Sequence, residues 1–270
     1  MPDQVRAFNL SAGSLLVAAA IPGLMALALA RLVHRHASPR ALGALFVLGG
    51  FASHVLVPDP RYLIDYAPLS ASFAGALMCS GLTAYSSLKR LAEHAKRGPA
   101  LLVGMGGVGL MGLSIARAIF PHASIVADID AGKREAGLKA GAAAAYDSAD
   151  PDARKALFKA TGGVFAAVDF VGSEKSLAFA SGALAKGGKV VVTGLLGGNF
   201  ATPVAMFPLK AMTIEGTLTG TLAETNELMA LARAGKLSAP PIRERPLGEA
   251  QAALDDLRQG KVVGRVVLCA

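Results

Sequence analysis

Between residues 100 and 220 the chain alternates short apolar runs with amphipathic stretches. The runs at 101–103, 124–127, 143–146, 166–171, 189–192 and 212–216 are four to six residues long or shorter, and each reads as a strand. The stretches between them repeat apolar residues at helical spacing, beginning with Leu110, Leu113, Ala116 and Ile119. Residues 133–139 form a short helix that stops at Gly141, and Pro151 opens another in a favoured first-turn position. A further helix starts at Glu174, Gly187-Gly188 turns the chain, and residues 223–234 are helical. Strands that alternate with helices over short links predict a parallel sheet with right-handed crossovers. Six such strands predict an α/β, doubly wound dinucleotide-binding fold.

The flanks read differently. Residues 51–57 alternate like a half-buried strand, Pro58, Asp59 and Pro60 make a turn, and 62–64 reads as another short strand. Two helices follow at 70–77 and 81–91, with Cys79 between them, and Lys96-Arg97-Gly98-Pro99 is a polar joint. At the other end, 247–259 is an amphipathic helix, Gly260-Lys261 turns it, and 264–268 is a last strand. That strand is expected to rejoin the strands at 50–66. Residues 1–38 carry no charge between Arg6 and Arg31. Residues 7–30 are therefore long enough to cross a bilayer, which takes about 20 apolar residues. Arg31, His34, Arg35 and Arg40 form a basic flank, and Ala26-Leu27-Ala28 resembles a signal-peptidase site. Pro22-Gly23 interrupts the run. A membrane or signal segment, a buried apolar stretch and text foreign to the rest of the protein all remain open.

Charge adds one constraint. Of the net +8, residues 1–98 contribute nine Lys/Arg against four Asp/Glu and the remainder eighteen against fifteen. The basic excess is scattered and lacks interleaved aromatics, so no nucleic-acid surface is read. Two cysteines, Cys79 and Cys269, make no disulfide framework and fit a reducing, cytoplasmic setting. A membrane-associated location is the alternative.

The chemistry centres on Leu101-Leu102-Val103-Gly104-Met105-Gly106-Gly107-Val108-Gly109. In this G-x-G-x-x-G pattern Gly104 permits a tight turn, Gly106 lets backbone touch a pyrophosphate, and Gly109 lets the helix pack closely on the strand. The anion would sit on a helix N-terminus. Asp128 ends the second strand, at roughly the 20-residue offset where a carboxylate accepts hydrogen bonds from an adenosine ribose. The competing reading is an ordinary strand–turn–helix with a solvated strand end.

Five signatures stand together: Gly49-Gly50-Phe51-Ala52 with Val55-Leu56-Val57-Pro58; Cys79-Ser80-Gly81-Leu82-Thr83-Ala84-Tyr85; the glycine loop; Asp128 with Lys133; and Gly260-Lys261 with Gly264-Arg265. In order and spacing the chain resembles the zinc-type alcohol dehydrogenases of the medium-chain dehydrogenase/reductase family, from about residue 39 to the end. The resemblance implies a doubly wound Rossmann domain at 99–235. It also implies remnants of a GroES-like barrel domain at 39–98 and in the return at 236–270. By resemblance, Gly104, Gly106, Gly107, Val108 and Gly109 would cradle the pyrophosphate. Asp128 would bind the ribose hydroxyls and select NAD over NADP, with Lys133 along the same ribose. Val171 would lie near the adenine side, Thr193, Thr217 and Thr219 beside the nicotinamide, and Arg265 at the pyrophosphate. Cys79 matches one ligand of the catalytic zinc. The implied reaction is hydride transfer between an alcohol and NAD, giving an aldehyde or ketone. A homo-oligomer is also implied.

The chain departs from the family before residue 39. The barrel segment with the first zinc cysteine, a Gly-His-Glu motif and the structural cysteines is not in this sequence. His34, His36, His54, His94 and His122 lack ligand spacing. His54 reads as a strand-surface residue, His94 as a helix-end cation, and Cys79 and Cys269 as small buried thiols. Zinc is implied by ancestry and is not expected to be retained, which puts catalysis by this chain in doubt. A shifted reading frame, a late start or a gene fusion would each produce residues 1–38. Unpaired barrel strands would favour poor solubility or association. The competing function is a membrane-tethered NAD-binding sensor. A methyltransferase is disfavoured by Gly109 and the Arg265 tail.

Overall fold

The computed structural model describes residues 59–269. The assignments at 1–38 and 51–57, the membrane reading of 7–30 and His54 lie outside them. Among the described residues no helix is long and apolar enough to cross a membrane.

The described chain opens on a single 3-10 turn, Pro60–Tyr62, where a strand was expected at 62–64. The Asp59 carboxylate accepts from the Arg61 N–H at 2.9 Å, and Pro60 supplies the fixed φ of a first helical turn. These local bonds outcompete an extended conformation. The two helices expected around Cys79 form one continuous rod. Helix α1 (Ala71–Ala76) runs through a widened π turn (Leu77–Gly81) into α2 (Leu82–Lys89). Ser70 caps its start, accepting from the Phe73 N–H at 3.3 Å. Helix α3 (Ala92–Ala95) follows.

The six predicted strands are all present: β1 (Leu101–Val103), β2 (Ile125–Ala127), β3 (Ala144–Tyr146), β4 (Val164–Asp169), β5 (Leu184–Val192) and β6 (Thr213–Gly216). They pair in parallel in the order β3-β2-β1-β4-β5-β6. Between them run α4 (Gly107–Ile119), α5 (Ala131–Lys139), α6 (Ala153–Thr161), α7 (Glu174–Gly182) and α8 (Met206–Lys210). Helix α6 begins two residues after Pro151, which lies in the preceding turn. Gly187-Gly188 does not end a strand. The partner of β5 moves from Leu184 opposite Val164 to Lys189 opposite Ala166, a bulge that the φ of +78° at Gly187 accommodates.

Successive strand residues point to opposite faces, so the sheet has two apolar sides. Leu102, Val126, Ala166, Val168 and Val191 pack beneath the rod and α4 with Leu77, Leu88, Met111 and Ile115. Leu101, Val103, Ile125, Ala167 and Val190 pack on the other side with Leu157, Phe179 and Leu184. Helix α9 (Leu222–Arg233) joins the first layer through Leu228, Met229 and Ala232. A parallel sheet covered on both faces is the doubly wound α/β architecture.

The tail holds a strand the hydrophobic pattern did not show, β7 (Ile242–Pro246). The last strand, β8 (Arg265–Cys269), pairs with it in parallel and not with residues 62–64. Between them lies a 3-10 turn (Leu247–Glu249) and α10 (Ala250–Arg258). Arg245 ties this unit together at 2.5 Å from Asp256, and Ser72 of α1 donates to the Glu244 carboxylate.

His94 is not the cation expected. Burial and then the charges of Lys189 and Arg97 hold its pKa below the ordinary histidine value, with Glu93 opposing, and its Nδ1 is buried with no partner among the described residues. A histidine whose folded pKa is depressed takes up a proton more readily when unfolded. Its contribution is therefore present above the ordinary value, about 6.5, and lost as the pH falls through it. Urea titrations across this window should show His94→Gln losing less stability on acidification than the wild type does.

Candidate functional site

The crevice of a doubly wound sheet opens at the carboxyl ends of its strands, where the strand order reverses. Here the reversal lies between β1 and β4. The Gly104 N–H donates to Ala127 O at 2.7 Å, and the Phe170 N–H to Val103 O at 2.9 Å, so the chains leaving β1 and β4 part on either side. Gly104 needs its φ of +92°, and a Cβ there would lie 2.6 Å from Val171 Cγ2. The two lips of the crevice thus touch at Gly104 and Val171.

The helix after β1 begins at Gly107, with Gly106 as its cap residue and no side-chain cap. Its first N–H groups therefore have no side-chain acceptor at the cap, and the helix dipole adds positive potential there. Arg265, from β8, lies across this end. A Cβ on Gly107 would strike Arg265 Cδ and would stand 2.7 Å from Gly264 O. Around Gly106 a Cβ would meet nothing within 4 Å. Gly109 is the opposite case, packed hard on the carbonyl of Gly104. Gly104 thus makes the tight turn and Gly109 the close packing that the spacing implied, while Gly106 borders open space.

Asp128 is buried at the end of β2. Its carboxylate accepts from the Met105 N–H at 2.6 Å and the Asp130 N–H at 2.9 Å. It thereby fixes the glycine loop against the β2 turn. Lys133 sits one turn on, its N–H donating to the Asp130 cap at 2.8 Å. Across the crevice, the Thr193 N–H donates to Asp169 O and the Thr217 N–H to Val192 O, each at 3.0 Å. Thr193 and Thr217 thus line the same strand-end edge as Asp128, Gly104 and Val171, with Thr219 two residues further along the chain. The Thr193 hydroxyl is buried with no partner among the described residues, and Thr219 adopts a left-handed φ of +53°, costly for a β-branched residue.

Some residues at this edge escaped the sequence reading. Ile129 is 71% exposed between Asp128 and Asp130, an apolar side chain that none of the described elements buries. The Asp-Ile-Asp pattern after a strand was its available signal. Arg134 and Asp147 also meet here, 3.0 Å apart. Asp169, beneath the β4 lip, is fully buried. It accepts from the Val171 N–H at 2.9 Å, the Gly172 N–H at 3.1 Å and the Ser176 hydroxyl at 2.9 Å.

A sequence profile described as zinc-binding dehydrogenase matches residues 107–234. The NAD-dependent alcohol dehydrogenase of Sulfolobus acidocaldarius is 37% identical over 235 residues, 86% of this chain and 67% of that protein. That of Saccharolobus solfataricus is 33% identical over 233 residues, with the same coverage. The chain belongs to the zinc-type alcohol dehydrogenases. The crystal structure of the alcohol dehydrogenase from Aeropyrum pernix superposes with a TM-score of 0.70 at 28% identity, over 75% of this chain and 60% of that one. The chain thus spans about two thirds of the length of its curated relatives, and less of this solved structure.

Within this family a catalytic zinc needs three protein ligands and one open position. Cys79 is exposed on the π turn while Leu77, Met78, Ser80 and Gly81 around it are buried, so it is not the small buried thiol expected. The widened turn rotates it out of the packed face. Among the described residues no group of three His, Cys, Asp or Glu side chains could hold a metal. The described residues by themselves do not fit a zinc site. Cys269 is half-buried, and burial followed by the Glu244 charge raises its pKa.

Proposed function

We propose that this chain binds NAD(H) across its β1/β4 crevice and serves hydride transfer between an alcohol and its aldehyde or ketone. The observation that carries the reading is the Asp128 carboxylate, held at 2.6 Å by the Met105 N–H inside the glycine loop. One side chain thereby ties the phosphate-binding turn to the ribose-binding strand end. NAD, when bound, supplies the acceptor for the hydride that leaves the alcohol carbon.

The residues divide the work along the crevice. The uncapped N–H groups at Gly107, Val108 and Gly109 bind the pyrophosphate, and Arg265 neutralises it. Asp128 accepts from the adenosine ribose hydroxyls, Lys133 flanks them, and Ile129 offers its apolar face to adenine. Val171 and the C-terminal ends of β5 and β6 line the other half. There the orphaned Thr193 hydroxyl and the turn through Thr217 and Thr219 meet the nicotinamide amide. The alcohol substrate, a homo-oligomeric assembly and the boundaries at 39, 99 and 236 follow from the family and belong to this proposal.

Titrating the purified chain with NADH while following nicotinamide fluorescence tests it. Saturable enhancement with NADH, and a much weaker response to NADPH, is the expected result. No saturable response from chain that melts cooperatively would overturn the reading.

A further inference from the structure

We infer that Asp147 is a second determinant of the preference for NAD over NADP, acting by occupying Arg134. The inference rests on the dinucleotide reading of the crevice. NADP differs only by a phosphate on the adenosine ribose, and a Rossmann site accommodates that phosphate with a nearby guanidinium. Arginine suits the task because its fixed fork matches phosphate oxygens.

This chain has a guanidinium at the right place. Arg134 lies in the first turn of α5, one residue beyond Lys133, and only 22% of its side chain is exposed. Its Nη1 stands 2.9 Å from Asp128 O, 3.0 Å from Ile129 O and 3.0 Å from Asp147 Oδ2. Its two hydrogens serve the two backbone carbonyls, and the third group, the Asp147 carboxylate, pairs with the guanidinium by charge. Two of the acceptors are the backbone of the residues that would hold ribose and adenine. The third is supplied by another strand. Asp147 follows β3, and the β2–β3 register sets Tyr146 opposite Ala127, which puts Asp147 beside the Asp128 turn.

The charge count runs the same way. Asp128, Asp130 and Asp147 surround the turn against Lys133 and Arg134. A doubly charged phosphate would enter a neighbourhood already in excess of negative charge, with its best donor engaged. Discrimination arises from rejection of the wrong ligand as much as from contacts to the right one. Removing Asp147 balances the charge and leaves the Arg134 guanidinium without its carboxylate partner.

NADH and NADPH are titrated against the full chain by nicotinamide fluorescence, with melting curves for every variant. Asp147→Ala is expected to narrow the preference for NADH over NADPH by about tenfold, the scale of one charge-assisted contact. Asp147→Asn keeps the shape and loses only the charge, so it guards against local unfolding and should shift the ratio less, in the same direction. Arg134→Ala in the Asp147→Ala background should return the ratio toward wild type, because the gain depends on the freed guanidinium. An unchanged ratio in both Asp147 variants, with NADH binding intact, overturns the inference alone. So does a gain that survives the loss of Arg134. Wild-type chain that binds neither dinucleotide overturns the reading of the crevice, and this inference with it.

Discussion

Gly106→Ala should fold as well as the wild type and lose NADH binding, whereas Gly109→Ala should lose much of its stability. The two positions sit three residues apart in one motif, and the surroundings of each decide the outcome. At Gly106 the backbone has φ −72° and ψ −163°, which alanine adopts without strain. An added Cβ there meets no atom within 4 Å. Restricting the unfolded chain at a compatible site contributes about 0.4–1 kcal/mol in favour of folding. The methyl would fill the space the pyrophosphate needs, so binding should weaken by a hundredfold or more, about 3 kcal/mol. At Gly109 the Cβ would overlap the Gly104 carbonyl oxygen, stand 2.8 Å from the carbonyl carbon and 2.9 Å from Met105 Cε. The neighbour is backbone and cannot rotate away, so β1 and α4 must separate. Overpacking of this kind costs about 1–3 kcal/mol or more. Urea denaturation beside fluorescence titration separates the cases. Parallel loss of stability at both positions would show that Gly106 faces packing and not a ligand.

The sheet was legible because its strands are apolar on both faces and sit between turn residues. Leu101 to Val103 and Ala166 to Val168 have no other reading. Strand β7 was hidden for the opposite reason. Ile242-Arg243-Glu244-Arg245-Pro246 has one apolar residue at its start, and its place is set by backbone pairing to β8 and by Arg245 on Asp256. Gly187-Gly188 reads as a turn in sequence, yet its neighbours stay paired to β4 and the glycines absorb a bulge. The sequence pattern reads as two helices around Cys79, whereas the rod is continuous. In the fold the Ser80 hydroxyl donates back to Ala76 O at 2.5 Å, and a Cβ on Gly81 would lie 2.9 Å from Leu77 Cδ2. Within the candidate site, the glycine loop and the strand-end position of Asp128 were legible, because a motif fixes their spacing. Arg134, Asp147 and Asp169 were not, because each acts through partners that only strand register brings near.

Asp169→Ala should be among the most destabilising single changes at the crevice, by about 3 kcal/mol or more, since an unsatisfied buried donor costs about 1–3 kcal/mol and three donors lose their acceptor. Those donors are the Val171 and Gly172 N–H groups and the Ser176 hydroxyl. The turn they hold carries Val171 to the Gly104 lip, so NADH binding should fall with stability, unlike the Gly106 case. Asp169→Asn is the informative control. Its oxygen can still accept from the two N–H groups, and the Ser176 hydroxyl can turn toward Ser173 O, 3.1 Å away, to accept from the amide. Burial raises the Asp169 pKa above the ordinary carboxylate value, against the pull of its Gly172, Ser176 and Val171 hydrogen bonds. A carboxyl whose folded pKa is raised contributes stability below the ordinary value, and loses it as the pH rises through the folded one. Wild-type stability should therefore decline relative to Asp169→Asn as the pH climbs from about 4 toward neutrality. A difference that stays flat with pH would mean that the hydrogen bonds to the ionised form fully offset its burial. The lip of the crevice would then be held by a carboxylate at no cost in charge.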